Sequence, residues 1–286
     1  MEAGGAGLSG WQALAPGGAP RALVLALHGG GMHAGYFHGR AHPSLSLLRL
    51  GAALGFSVLA LDRPGYGESK ARFPEGLSMR GQADALYAAI EDFGRSHPTG
   101  AGCFLLAHSY GLKVALHMAA DPRGAELLGL DGSGAGLRYD PAQLERVRRA
   151  REPGGEGPSM RDLYWGCEDL YPPGSFAPET APTADIPAME NLEAPRWPEI
   201  LPPIAPKVRI PMRLTVAEFE PWWEAGEAAR VQTRALFSGA PRLEIEVQPK
   251  AAHNISLGWA ARAYHLRALA FAEECIQARR GGEAAG

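Results

Sequence analysis

The feature that most constrains this chain is an alternation. Short apolar-rich runs recur at 22–27, 56–61, 103–107, 127–130, 212–216 and 243–247, the first two ending in Gly- or Pro-containing turns. Apolar runs of this length fit strands that are covered on both faces, the central strands of a parallel sheet. Segments with apolar residues at helical spacing lie between or after them, at 44–54, 79–93, 111–120 and 257–279. Strand–helix alternation predicts a doubly wound, mostly parallel α/β sheet. One stretch breaks the pattern. Residues 137–207 read as helical and Pro-rich, without a strand, and contain Arg146-Val147-Arg148-Arg149-Ala150-Arg151 and Pro153-Gly154-Gly155. A structureless loop of that length is uncommon in a compact domain. The expected organisation is a core at 1–136 and 208–286 with a helical cap inserted at 137–207.

Composition excludes several classes. A chain of 286 residues buries enough surface to need no disulfide or metal staple. A net charge of −3 gives no footprint for nucleic acid or for an anionic membrane surface. Cys103, Cys167 and Cys275 are an odd, sparse set rather than a disulfide framework, and read as small hydrophobes. The opening Met1-Glu2-Ala3-Gly4-Gly5 has no basic segment leading into an apolar run. Every apolar run is far shorter than the roughly 20 residues that span a bilayer. A soluble, cytoplasmic protein is expected. Only four of the 28 cationic residues are lysine, a bias that points to a GC-rich, bacterial genome.

The chemistry concentrates at Leu105-Leu106-Ala107-His108-Ser109-Tyr110-Gly111. Here an apolar strand turns abruptly into a helix. Small residues at 107 and 111 permit a tight turn that lifts Ser109 above the sheet, at a helix N-terminus that favours developing negative charge. An ordinary N-cap serine is the bland alternative. A serine nucleophile needs a base. His253 follows the last strand and precedes the final helix, whereas His108, His117 and His265 sit on the elbow or within helices. An acid should orient the histidine. Glu220, beyond the strand at 212–216, is preferred, with Glu218 and Asp131 as alternatives. The order serine, acid, histidine is the order this architecture uses. Two N–H donors should hold the oxyanion: Tyr110, and Gly30 from His28-Gly29-Gly30-Gly31-Met32-His33, with Gly31 next. This Gly-rich loop matches neither common phosphate-binding pattern. His28, His33, His38 and His42 lack a nearby Cys or carboxylate, so no metal is expected. Gly31, His33, Trp165 and Trp222 are the expected pocket residues. The aromatics Tyr164, Trp165, Tyr171, Trp197, Trp222 and Trp223 point to an apolar or aromatic small-molecule substrate, unless they only pack the cap.

In this order the motifs resemble the α/β-hydrolase superfamily over nearly the whole chain. The resemblance rests on His28-Gly29-Gly30, on Asp62-Arg63-Pro64-Gly65-Tyr66-Gly67-Glu68-Ser69, on the elbow at Ser109, on the segment from Ile210-Pro211 to Glu220-Pro221, and on His253. Ala107 stands where glycine is commoner, and Glu220 where aspartate is. The resemblance implies a helical cap at 137–207 and no cofactor. It also implies attack by Ser109 on an acyl carbon, with His253 as base and the Gly30 and Tyr110 N–H groups holding the oxyanion. The serine speaks against epoxide hydrolases and haloalkane dehalogenases, similar proteins that carry an aspartate at the elbow. An esterase, lactonase or thioesterase of secondary metabolism is the first expectation. An acyltransferase, cyclase or lyase using the same site is the second, and a non-catalytic binding module the third.

Overall fold

The computed structural model describes residues 7–150 and 160–283. The opening residues 1–5, Arg151 and Pro153-Gly154-Gly155 lie outside them. Seven strands form one sheet: β1 (Gly10–Ala13), β2 (Leu23–Leu27), β3 (Ser57–Leu61), β4 (Cys103–His108), β5 (Leu127–Ser133), β6 (Met212–Phe219) and β7 (Leu243–Ala252). Their spatial order is β1-β3-β2-β4-β5-β6-β7. All pairs are parallel except β1, which runs antiparallel against β3 at one edge. β1 had no sequence signal, because Gly10-Trp11-Gln12-Ala13 is neither an apolar run nor a clean alternation.

The helices are α1 (Leu47–Ala53), α2 (Met79–Ser96), α3 (Tyr110–Ala120), α4 (Pro141–Ala150), α5 (Met160–Trp165), α6 (Ala188–Glu193), α7 (Trp197–Ile204), α8 (Glu227–Leu236) and α9 (Ala261–Glu283). Serine side chains start two of them. Ser46 accepts from the Arg49 N–H and Ser78 from the Gly81 N–H, each at 3.1 Å.

Continuous apolarity in the central strands follows from having helices on both faces. Leu23, Leu25 and Leu27 of β2 join a core cluster with Leu86 and Phe93 of α2 and Val114 of α3. Val24 and Ala26 of the same strand join a second cluster with Leu47 of α1 and Phe271 and Ile276 of α9. Each such leucine contributes about 1.5–3 kcal/mol by leaving water. The segment between β5 and β6 is helical, and its end belongs to the first cluster. Trp197 and Leu201 of α7, and Ala205 after it, pack there with α3. The Trp197 indole N–H donates to the Gly136 carbonyl at 3.0 Å. Thus α7 is the helix that carries the chain from β5 to β6, and Pro202 and Pro203 keep it short.

Candidate active site

Ser109 stands between β4 and α3 with φ 52° and ψ −117°. A positive φ is costly for a non-glycine residue and persists only where its surroundings enforce it. Here the Ser109 N–H donates to the Ser133 carbonyl of β5 at 2.7 Å, and α3 begins at the next residue. Gly111 permits the close approach of α3 to β2, because a Cβ there would lie 2.4 Å from the Leu27 carbonyl oxygen. The strain therefore aims the serine hydroxyl out of the sheet, at the N-terminus of α3.

His253 follows directly on β7, which runs further than its apolar core predicts. The strand passes through Lys250, itself at positive φ, and ends at Ala252. The His253 Nε2 is 3.1 Å from Ser109 Oγ. Its Nδ1 is 3.0 and 2.9 Å from the two carboxylate oxygens of Glu220. Both side chains are buried. Glu220 reaches the histidine because β6 ends in a turn: the Glu220 N–H bonds the Ala217 carbonyl, and one carboxylate oxygen accepts from the Trp222 N–H at 3.1 Å.

The two alternative acids are held elsewhere. Glu218 is exposed and accepts from the Lys250 N–H at 2.6 Å. Asp131 is fully buried beneath the site, 2.6 Å from Arg213 Nε and 2.9 Å from the Tyr264 hydroxyl. Burial pushes its carboxyl up to about 6, against the pull of Arg213.

The loop after β2 lies against the serine. A Cβ on Gly29 would sit 3.0 Å from Ser109 Cβ. The Gly31 N–H is occupied by the Tyr66 hydroxyl at 3.1 Å, whereas Gly30 borders a cavity shared with Ser109, Tyr110 and His253. That cavity measures about 390 Å³. Trp222 lines it.

Three expected pocket residues do not line it. Gly31 is covered by the segment before α6, its carbonyl accepting the Ala184 N–H at 2.9 Å. His33 caps a short turn, with its Nδ1 accepting the Gly35 N–H at 3.1 Å. Trp165 turns inward onto Tyr171 and Phe176, at ring-centroid distances of 5.3 and 5.0 Å. Its neighbour on α5, Tyr164, borders the cavity instead and packs on Trp222 at 5.0 Å. Adjacent helical positions point about 100° apart, so one of the pair must face inward.

A protein-family model described as the alpha/beta hydrolase family matches residues 23–273. The chain belongs to the α/β-hydrolase family. No curated protein matches this hydrolase in sequence. Solved structures similar to it include a monoacylglycerol lipase from Paleococcus ferrophilus, with a TM-score of 0.64 and 21% identity over 94% of this chain and 98% of that one. A thermophilic esterase from Thermogutta terrifontis follows at 0.61 and 20%, covering 93% and 92%. An epoxide hydrolase from Vigna radiata gives 0.58 and 17%, covering 92% and 93%.

Several residues of this α/β-hydrolase site carried no family motif. Glu190 of α6 borders the cavity, and its carboxylate is bound by Arg63 and by the Tyr66 hydroxyl at 2.8 Å. Arg63 in turn donates to the carbonyls of His28 and Gly29, at 2.8 and 3.1 Å. One buried ion pair thus ties α6 to the glycine loop. Lys113 of α3 also borders the cavity. Its ammonium donates to the Tyr139 hydroxyl at 3.0 Å, amid the rings of Tyr110, Tyr139, Trp197 and Trp223. Burial lowers it to about 7, although Glu190 pulls upward. A lone cation inside Leu112-Lys113-Val114-Ala115 was the signal that could have found it.

His28, His33, His38 and His42 each have their own partners, respectively Gly29 and Arg63, Gly35, Ser46, and Ser44. Among the described residues no group of three or more His, Cys, Asp or Glu is placed to hold a metal ion, and no helix is long and apolar enough to cross a membrane.

Proposed function

We propose that the protein is a serine hydrolase that cleaves a carboxylic ester, lactone or thioester of a small, mostly apolar molecule. The reading rests on the continuous hydrogen-bond chain Ser109–His253–Glu220, set at a strained strand-to-helix turn beside the cavity. In this mechanism His253 takes the Ser109 proton as Oγ attacks the acyl carbon. Glu220 holds the ring and stabilises the imidazolium that forms. The Gly30 and Tyr110 N–H groups receive the oxyanion, aided by the α3 N-terminus. His253 then protonates the leaving group. Water, activated by the same histidine, releases the acid from Ser109. The segment at 137–196 acts as a cap, with Tyr164, Ile186, Trp222 and the α4 side chain of Val147 giving the cavity its apolar lining.

The test is active-site labelling. A fluorophosphonate should label Ser109 in the folded protein and not in Ser109→Ala, and short p-nitrophenyl esters should be turned over only by the unsubstituted serine. Absence of labelling with intact fold would overturn the reading. Products of reactions run with a competing alcohol or amine separate hydrolysis from acyl transfer.

A further inference from the structure

We propose that Lys113 forms an anion subsite beside Ser109 that selects esters carrying a carboxylate. The inference deepens the serine-hydrolase reading and takes from it only where the scissile bond lies.

Position comes first. Lys113 follows Ser109 by four residues, and its N–H bonds the Ser109 carbonyl at 3.3 Å in the first turn of α3. Both border the same cavity. A buried ammonium is costly unless an anion or a full set of acceptors compensates it. Lys113 has neither in this structure. Its acceptors are the Tyr139 hydroxyl at 3.0 Å and the Ala194 carbonyl at 3.5 Å, and the Tyr139 hydroxyl itself donates to that same carbonyl at 2.7 Å.

The nearby acids are spoken for. Glu190 is bound by Arg63, Tyr66 and Gln82. Glu193 accepts from the Met79 N–H and from the Tyr110 hydroxyl. No carboxylate among the described residues pairs with Lys113. Four aromatic rings, with centroids 5.3–5.6 Å from Nζ, surround the amine and carry no countercharge. A substrate carboxylate entering the cavity supplies the missing countercharge and restores the protonated amine that burial disfavours. The rest of the cavity, with Leu144, Val147, Tyr164 and Ile186, suits the apolar body of the same molecule.

The class of substrate is therefore an ester with a carboxylate a few carbon atoms from the scissile carbonyl. The experiment compares matched pairs. Monomethyl glutarate against methyl pentanoate probes a charge on the acyl part, and 4-acetoxybutyrate against butyl acetate probes one on the alcohol part. At least one charged member should be favoured tenfold or more in kcat/KM. Lys113→Met should collapse that ratio at least tenfold, mainly through KM, and Lys113→Arg should retain part of it. Should Lys113→Met not fold, Lys113→Gln replaces it against Lys113→Arg.

Binding to Ser109→Ala, read by calorimetry with the same four compounds, needs no turnover. Lys113-dependent binding of a charged member there sustains the subsite even if no ester is hydrolysed, a result that would sink the hydrolase reading alone. Preference for the neutral members, or equal losses on both members in Lys113→Met, overturns the subsite.

Discussion

At the scale of single residues, the acid assignment yields the sharpest prediction. Glu220→Gln should keep the fold but orient the imidazole wrongly, lowering kcat by roughly 10²–10⁴. Glu218→Gln should stay within about twofold, since its carboxylate binds only the exposed Lys250 N–H. Steady-state assays on one ester decide this, and a larger effect at Glu218 would reverse the assignment. Ser109 and His253 were legible because each stands at a junction that the apolar runs mark. The choice among three acids was less so. It depends on a turn after β6 that sends Glu220 inward and leaves Glu218 in solvent, and no periodicity reports that turn. Trp165 and Tyr164 illustrate the same limit: two adjacent aromatics on a short helix look alike in sequence, and packing alone decides which one borders the cavity.

At the scale of elements, the six apolar strands and the four core helices were readable from their runs. Their ends were not, because β7 and α9 extend into residues whose polarity is decided by edge exposure. α8 was missed: its helix, Glu227–Leu236, is amphipathic but has no fully buried residue to mark a stripe. α7 lies within the expected 137–207 cap and packs with α3 in the first core cluster, since a parallel strand pair needs a crossover and this helix supplies it.

The Arg63–Glu190 pair joins elements far apart in sequence. Glu190→Ala leaves a buried guanidinium unpaired and should cost about 3–5 kcal/mol. It should also loosen the His28 and Gly29 carbonyls that Arg63 holds, lowering kcat. Denaturant unfolding gives the first quantity, and a loss below about 1 kcal/mol would show that the pair is not acting as a clasp.

At the scale of the whole molecule, buried histidines set the acid limit. His28 and His108 are held well below their usual value by burial, and His265 at about 3. A depressed value in the folded state means that the unfolded chain binds the extra protons. Their stabilisation is complete above about pH 6.5 and is lost as pH falls below it. Asp131, raised to about 6, runs the other way between its ordinary value and 6. The lowered histidines outnumber the one raised carboxyl, so stability should fall as pH drops from about 6.5. Urea midpoints at pH 7 and pH 5 should differ clearly, and equal midpoints would refute this balance.

One contact has an architectural consequence. The Tyr139 hydroxyl meets the Ala194 carbonyl at 2.7 Å, so the chain leaves the sheet and returns to α7 at points that one tyrosine side chain bridges. At about 3.3–3.6 Å per residue, a linker of a few residues closes that gap. The described residues between them touch the core again at Gly31 and Arg63. Replacing the segment by a short Gly–Ser bridge, with α7 left in place, opens Arg63 to solvent and should yield a folded protein of altered substrate range.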